Sequence, residues 1–139
     1  MSNKIQEVLY TGKTRTTGGR DGASRSSDGR LDVKLSAPWS KGEGTNPEQL
    51  LAAGWSACYL GAIGKASAEL GLAVPAGAAV DAEVDLAKGD EGFQLQARLH
   101  VSLPGVDREV AQKIIDRAHA TCPYSKALYA STNVKTTLA

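Results

Sequence analysis

Apolar residues recur along this chain with two periods, and each switch of period marks an expected element. Residues 4 to 11 read as a first strand. Thr17-Gly18-Gly19-Arg20-Asp21-Gly22, continuing to Asp28-Gly29, is rich in turn formers and predicts a loop or wide hairpin connection. Leu31, Val33 and Leu35 then alternate with polar neighbours, the period of a half-buried strand. Asn46-Pro47-Glu48-Gln49 places a capping residue, a first-turn proline and a Gln at N3, which starts a helix. That helix is expected to reach about Leu70, with Gly71 as its stop.

The helix interior carries Gly54, Ala57, Gly61, Gly64 and Ala68 on one stripe. Glycine costs about 1 kcal/mol relative to alanine inside a helix, so the stripe predicts close approach by another element and a central, buried helix. Further on, Val80, Ala82, Val84 and Leu86 alternate, Gly89 to Gly92 turn the chain, and Phe93 to Leu103 alternate on the return. This is the pattern of an antiparallel hairpin. Asp107 heads a second helix with Val110, Ile114, Ile115 and Ala118 on its apolar face, ending near Cys122-Pro123 because proline disfavours helical geometry before it. A last strand runs from about Asn133 to Leu138. Strands before, between and after two helices predict an α+β fold, with antiparallel sheets packed on the helices.

At 139 residues the chain fits one domain, 1–139. Sixteen Lys and Arg against fifteen Asp and Glu leave a net charge of +1, which offers no basic footprint for nucleic acid or an anionic membrane surface. No apolar run approaches the ~20 residues of a membrane span, and the N-terminus lacks the apolar core of an export signal. A cytoplasmic location follows as the expectation. Two cysteines in a reducing compartment point to chemistry rather than a permanent disulfide. Two Cys and two His without a CxxC pair predict no metal site.

Taken alone, the cysteines leave two readings open. Cys58 lies mid-helix among small residues, where a free cysteine is ordinarily apolar filler. Cys122 sits at a helix C-terminus, whose partial negative charge suits a waiting partner better than an attacking thiolate. A redox pair and inert packing are both compatible with the spacing.

The segments around them carry a resemblance. Thr17 to Gly22, Asn46-Pro47-Glu48-Gln49-Leu50-Leu51-Ala52-Ala53-Gly54-Trp55-Ser56-Ala57-Cys58, and Ala118-His119-Ala120-Thr121-Cys122-Pro123-Tyr124-Ser125 resemble, in order and spacing, the organic hydroperoxide resistance proteins. These form one branch of the family that also holds the osmotically inducible peroxidases. The resemblance implies an intertwined homodimer with two active sites at the subunit interface. It implies Cys58 as peroxidatic and Cys122 as resolving cysteine, Arg20 and Glu48 assisting, and no bound cofactor. It also implies an external dithiol reductant, the lipoyl group of a lipoylated protein. The chain departs from the branch at Leu51 and Trp55, where Phe and Tyr are usual. Lys126 follows Ser125 as in the osmotically inducible relatives, and the segment from Ala37 to Thr45 is short.

The chemistry asks for these residue types. A thiolate attacks a peroxide, and an unperturbed cysteine near pKa ~8.5 is mostly protonated at neutral pH. Arg20 would supply a permanent positive charge with a planar fork, and Glu48 would orient that fork. Glu48 and Cys58 are ten positions apart, about 15 Å along a helix axis. The expectation is therefore that Arg20 and Glu48 reach Cys58 from the partner subunit. Trp39, Trp55, Tyr124 and Tyr129 either line an apolar pocket for alkyl or fatty-acid hydroperoxides or belong to the core. His119 reads as a local hydrogen-bond partner and His100 as solvent-facing. Two other functions compete: an osmotically inducible type of peroxidase with broader peroxide range, and a non-catalytic dimeric ligand-binding protein.

Overall fold

A computed structural model describes residues 4–139. The chain forms two compact units, one up to Pro47 and one from Glu48 to Ala139. In the first unit, β1 (Thr14–Thr17), β2 (Ala23–Ser26) and β3 (Asp32–Lys34) make an antiparallel sheet in that order. Thr17 faces Ala23, and Ala23 in turn faces Lys34. The turn between β1 and β2 is a short 3-10 helix, Gly19–Asp21, which places Arg20 at the turn's centre. Gly18 and Gly19 take φ of 77° and 59°, the left-handed region where a side chain would clash with its own backbone. Asp21 then accepts a hydrogen bond from the Ala37 amide at 3.0 Å, and the Leu35 amide bonds the Gly22 carbonyl at 2.9 Å.

Gly22 itself has no room for a side chain: an added Cβ would fall well inside contact distance of the Thr17 carbonyl oxygen. Gly22→Ala is expected to lower stability by about 1–3 kcal/mol, as overpacking does, read as a drop in thermal midpoint of the whole chain.

Residues 4–13 carry no regular structure, so the strand expected over residues 4 to 11 is absent within this chain. Ile5, Val8, Leu9 and Tyr10 are exposed. A strand needs a hydrogen-bonded neighbour, and this segment pairs with none among the described residues.

The second unit holds α1 (Pro47–Glu69), β4 (Ala79–Gly89), β5 (Gly92–Ser102), α2 (Arg108–Thr121), α3 (Pro123–Leu128) and β6 (Asn133–Leu138). β4 and β5 are the antiparallel hairpin read from the sequence, turning on Asp90-Glu91 with Gly92 at φ 101°. β6 pairs β5 in parallel, so this sheet is mixed rather than antiparallel. The connection explains it: a parallel neighbour needs a crossover, and α2 with α3 supplies one. α3 is a helix beyond the two expected. Pro123 ends α2, forcing Cys122 to an extended φ of −65° and ψ of 120°, and then serves as the first residue of α3.

The core joins α1, β5 and α2 through Trp55, Tyr59, Ile63, Leu99, Val101, Ile114, Ile115 and Ala118, all nearly or fully buried. α1 buries this one face only. Ala57, Gly61 and Ala68 of the small-residue stripe are exposed, and a Cβ on Gly61 would meet nothing within 4 Å, so the all-round burial expected of this helix is not met within one chain. Gly54 alone on the stripe has the close neighbour expected, with the Tyr124 hydroxyl 2.8 Å from where its Cβ would be. On the outer face of the sheet, His100 bridges Glu83 at 2.7 Å and Thr137 at 2.6 Å.

Candidate active site

Position along the chain separates the two cysteines by 64 residues, yet their sulfurs lie 3.4 Å apart. Both are free thiols, for a disulfide would bring the sulfurs to about 2.05 Å. Cys58 projects from the middle of α1 and is partly exposed, whereas Cys122, between α2 and α3, is fully buried. The arrangement suits an outer thiol that meets a reagent and an inner thiol that waits behind it.

Burial pushes the Cys58 thiol up from its ordinary pKa. The Tyr124 backbone amide, in the first turn of α3, donates toward the sulfur and opposes this, while the neighbouring Cys122 pushes it further up. Burial is the largest of these effects, so this surrounding favours the protonated thiol. A thiolate at neutral pH needs a cation from elsewhere.

Hydrogen bonds hold the helices on both sides of the sulfur pair. Trp55 donates its indole N–H to the Ser125 hydroxyl at 3.0 Å. On the other side the Tyr59 hydroxyl lies 3.0 Å from His119 Nε2 and 3.3 Å from the Ile115 carbonyl. Tyr129 reaches the same imidazole nitrogen at 3.1 Å and Thr136 at 2.8 Å. His119 is thus a local hydrogen-bond partner, as read from the sequence. Tyr59 and Ser125 were not singled out there. The signal that could have found them is position: Tyr59 follows Cys58 directly, and Ser125 closes the third motif, one helical turn beyond Cys122.

Burial pulls the His119 pKa below 6.5, partly offset by the Asp116 carboxylate. In the unfolded chain the imidazole titrates near 6.5 and binds protons that the fold resists, so this contribution to stability is complete above that pH. It is lost as pH falls from there through the lower folded value. The thermal midpoint is expected to drop on acidification below about pH 6.5, and His119→Gln is expected to flatten that drop.

Arg20 lies over the Trp39 ring, its guanidinium carbon 5.8 Å from the ring centre, within cation–π range. Trp39 is 72% exposed. Glu48 stands in the first turn of α1, where a carboxylate suits the helix dipole. Tyr124 and Tyr129 keep 40% and 37% of their surface open, while Trp55 is wholly enclosed in the core. Trp55 and Tyr129 meet edge to face, with ring centres 6.4 Å apart.

The chain compares with known proteins as this geometry suggests. The family model of OsmC-like protein matches residues 40–137. An organic hydroperoxide resistance protein of Xanthomonas axonopodis pv. citri is 41% identical over 138 residues, covering 96% of this chain and 97% of its own. The organic hydroperoxide resistance protein OhrB of Bacillus subtilis is 40% identical over 133 residues, covering 92% and 96%. Its crystal structure superposes with a TM-score of 0.90, covering 95% of this chain and all of that one. With a family model spanning most of its length and relatives this similar end to end, the chain belongs to the OsmC-like family, in the branch of the organic hydroperoxide resistance proteins.

Proposed function

We propose that this protein is a two-cysteine peroxidase that reduces organic hydroperoxides in the oxidative stress response. The observation that carries the reading is the contact between two reduced cysteines of unequal exposure, 3.4 Å apart. The Cys58 thiolate bonds to the terminal peroxide oxygen, the O–O bond breaks, and the alkoxide leaves and takes a proton to become the alcohol. Cys58 is left as a sulfenic acid. The Cys122 sulfur then attacks Cys58, the S–O bond breaks, and the oxygen departs as water, leaving a Cys58–Cys122 disulfide. An external dithiol reopens it by two exchanges, itself ending as a disulfide. A lipoyl dithiol on a partner protein fits that role, because its two thiols are already joined by a short tether.

Arg20 is the cation assigned to Cys58, with Glu48 orienting it. Since ten helical positions separate Glu48 from Cys58, or about 15 Å, the pair is assigned to the partner subunit of a homodimer. The exposed apolar residues Ile5, Val8, Leu9 and Tyr10, and the open small-residue stripe of α1, favour a second copy as their cover. Tyr124 and Tyr129 offer exposed aromatic surface for an alkyl chain, and Trp55 meets Tyr129 from within the core; Trp39, in the first unit, is exposed as well. A free thiol pair suits the reducing cytoplasm.

The test is thiol titration of the pre-reduced protein before and after one equivalent of cumene hydroperoxide. Loss of both thiols within seconds is expected, more slowly with hydrogen peroxide. Equal rates with the two peroxides would favour the osmotically inducible type. Survival of both thiols would make Cys58 packing and leave a ligand-binding dimer.

A further inference from the structure

The sulfur pair is bracketed by two hydrogen bonds, one buried and one partly buried, that cross between the same two stretches of chain. On α1, Cys58 lies between Trp55 and Tyr59; on the opposing stretch, Cys122 lies between His119 and Ser125. Trp55 bonds Ser125 at 3.0 Å and Tyr59 bonds His119 at 3.0 Å, so the two stretches run in opposite directions with the cysteines in the middle. Trp55 and Tyr59 are wholly buried, and Ser125 is 1% exposed. Tyr129 anchors the His119 end a second time and carries it to Thr136 on β6. A shift of α1 along α2 and α3 would have to break both crossings, and at the enclosed Trp55–Ser125 end water cannot replace what is lost.

We infer that the Trp55–Ser125 and Tyr59–His119 hydrogen bonds are a paired clamp that sets the approach of Cys122 to Cys58, and so decides whether the Cys58 sulfenic acid is resolved or overoxidised. The inference rests on the peroxidase reading above. These are positioning residues, acting through the cysteines. Two fates compete for the sulfenic acid. In one, Cys122 attacks sulfur and water leaves, giving the disulfide. In the other, a second hydroperoxide transfers an oxygen to Cys58, giving the sulfinic acid and a second molecule of alcohol. The first is intramolecular and depends on alignment, so a displacement of about 1 Å slows it by up to ~10²-fold. The second depends on the exposed side of Cys58 and on hydroperoxide concentration, and the clamp leaves it alone.

Tyr59→Phe and Ser125→Ala each remove one oxygen and keep the packing volume nearly unchanged. Pre-reduced wild type, both variants and the double variant would be mixed with a series of cumene hydroperoxide concentrations. First-turnover hydroperoxide consumption reports the Cys58 step. Intact mass reports the partition between disulfide and sulfinic acid. Consumption within about twofold of wild type is expected, while the hydroperoxide concentration that gives equal disulfide and sulfinic acid falls roughly tenfold in each single variant and further in the double one. The two variants act at opposite ends of the clamp, so misfolding of one leaves the other to decide. Partition equal to wild type in a folded variant overturns the inference, as does consumption falling in step with disulfide formation, the mark of a general scaffold. Wild type that forms the disulfide beside such variants leaves the peroxidase reading standing. Wild type that keeps both thiols removes that reading and the clamp's role together.

Discussion

Cys58→Ser is expected to consume no cumene hydroperoxide above the uncatalysed rate, a loss of roughly 10³-fold or more, as follows from removing an activated nucleophile. Cys122→Ser is expected to do something different. Its first turnover should proceed near the wild-type rate, because the attacking sulfur remains, but it should end in a sulfenic acid that a dimedone probe traps. Further hydroperoxide should drive it to sulfinic acid. The asymmetry comes from exposure: Cys58 is partly open and Cys122 is fully buried. Stopped-flow hydroperoxide consumption, followed by intact mass, reads both outcomes. Loss of the first turnover in Cys122→Ser would reverse the assignment of the two sulfurs.

The second large effect concerns Arg20. Burial raises the Cys58 thiol and the Tyr124 amide only partly offsets it, so the thiolate depends on a cation. Arg20→Met is expected to cut the rate at neutral pH by about 10²–10³, the usual cost of removing a charged donor from a developing or reacting anion. The sign with pH is definite. If the Arg20 guanidinium serves Cys58, the wild-type rate is expected to be flat above pH 7, the thiolate being formed already. Without it, the rate should climb with pH through and beyond ~8.5 as the thiol ionises unaided.

Mixing separates the two possible origins of the arginine. If Arg20 of the partner subunit serves Cys58, a heterodimer of Arg20→Met with Cys58→Ser contains one site with both groups intact. Each heterodimer should then carry about half of wild-type activity, so random equimolar exchange of the two proteins should recover about a quarter overall. If the arginine serves its own chain, every site in the mixture lacks one group and nothing is recovered.

Most of the second unit could be read in advance, for local reasons. A first-turn proline and a closing glycine bound α1, and Gly71 takes the left-handed φ of 71° expected of a helix stop. The β4–β5 hairpin was legible because alternation and a two-residue turn are both local signals. α3 is not legible in advance, because Pro123 marks an ending and a beginning with the same residue. The parallel pairing of β6 was missed because strand direction depends on where a crossover returns the chain, which alternation does not record. Residues 4 to 11 show the converse: a stretch that reads as a strand forms none, because pairing needs a neighbour that the described residues do not offer it.

By itself the sequence determined the family, through three motifs in fixed order, and with it the pair of cysteines to examine. It also determined the helix ends and the hairpin, since capping, turn chemistry and periodicity act within a few residues. Tertiary structure decided the rest. It brought two sulfurs 64 residues apart to 3.4 Å and opened one while burying the other. It turned Trp55, Tyr59, His119 and Ser125, from two distant stretches of chain, into crossings on either side of that contact. Contact across the core depends on how whole helices pack, and burial depends on everything that packs with them. Neither quantity is a property of any short stretch of chain.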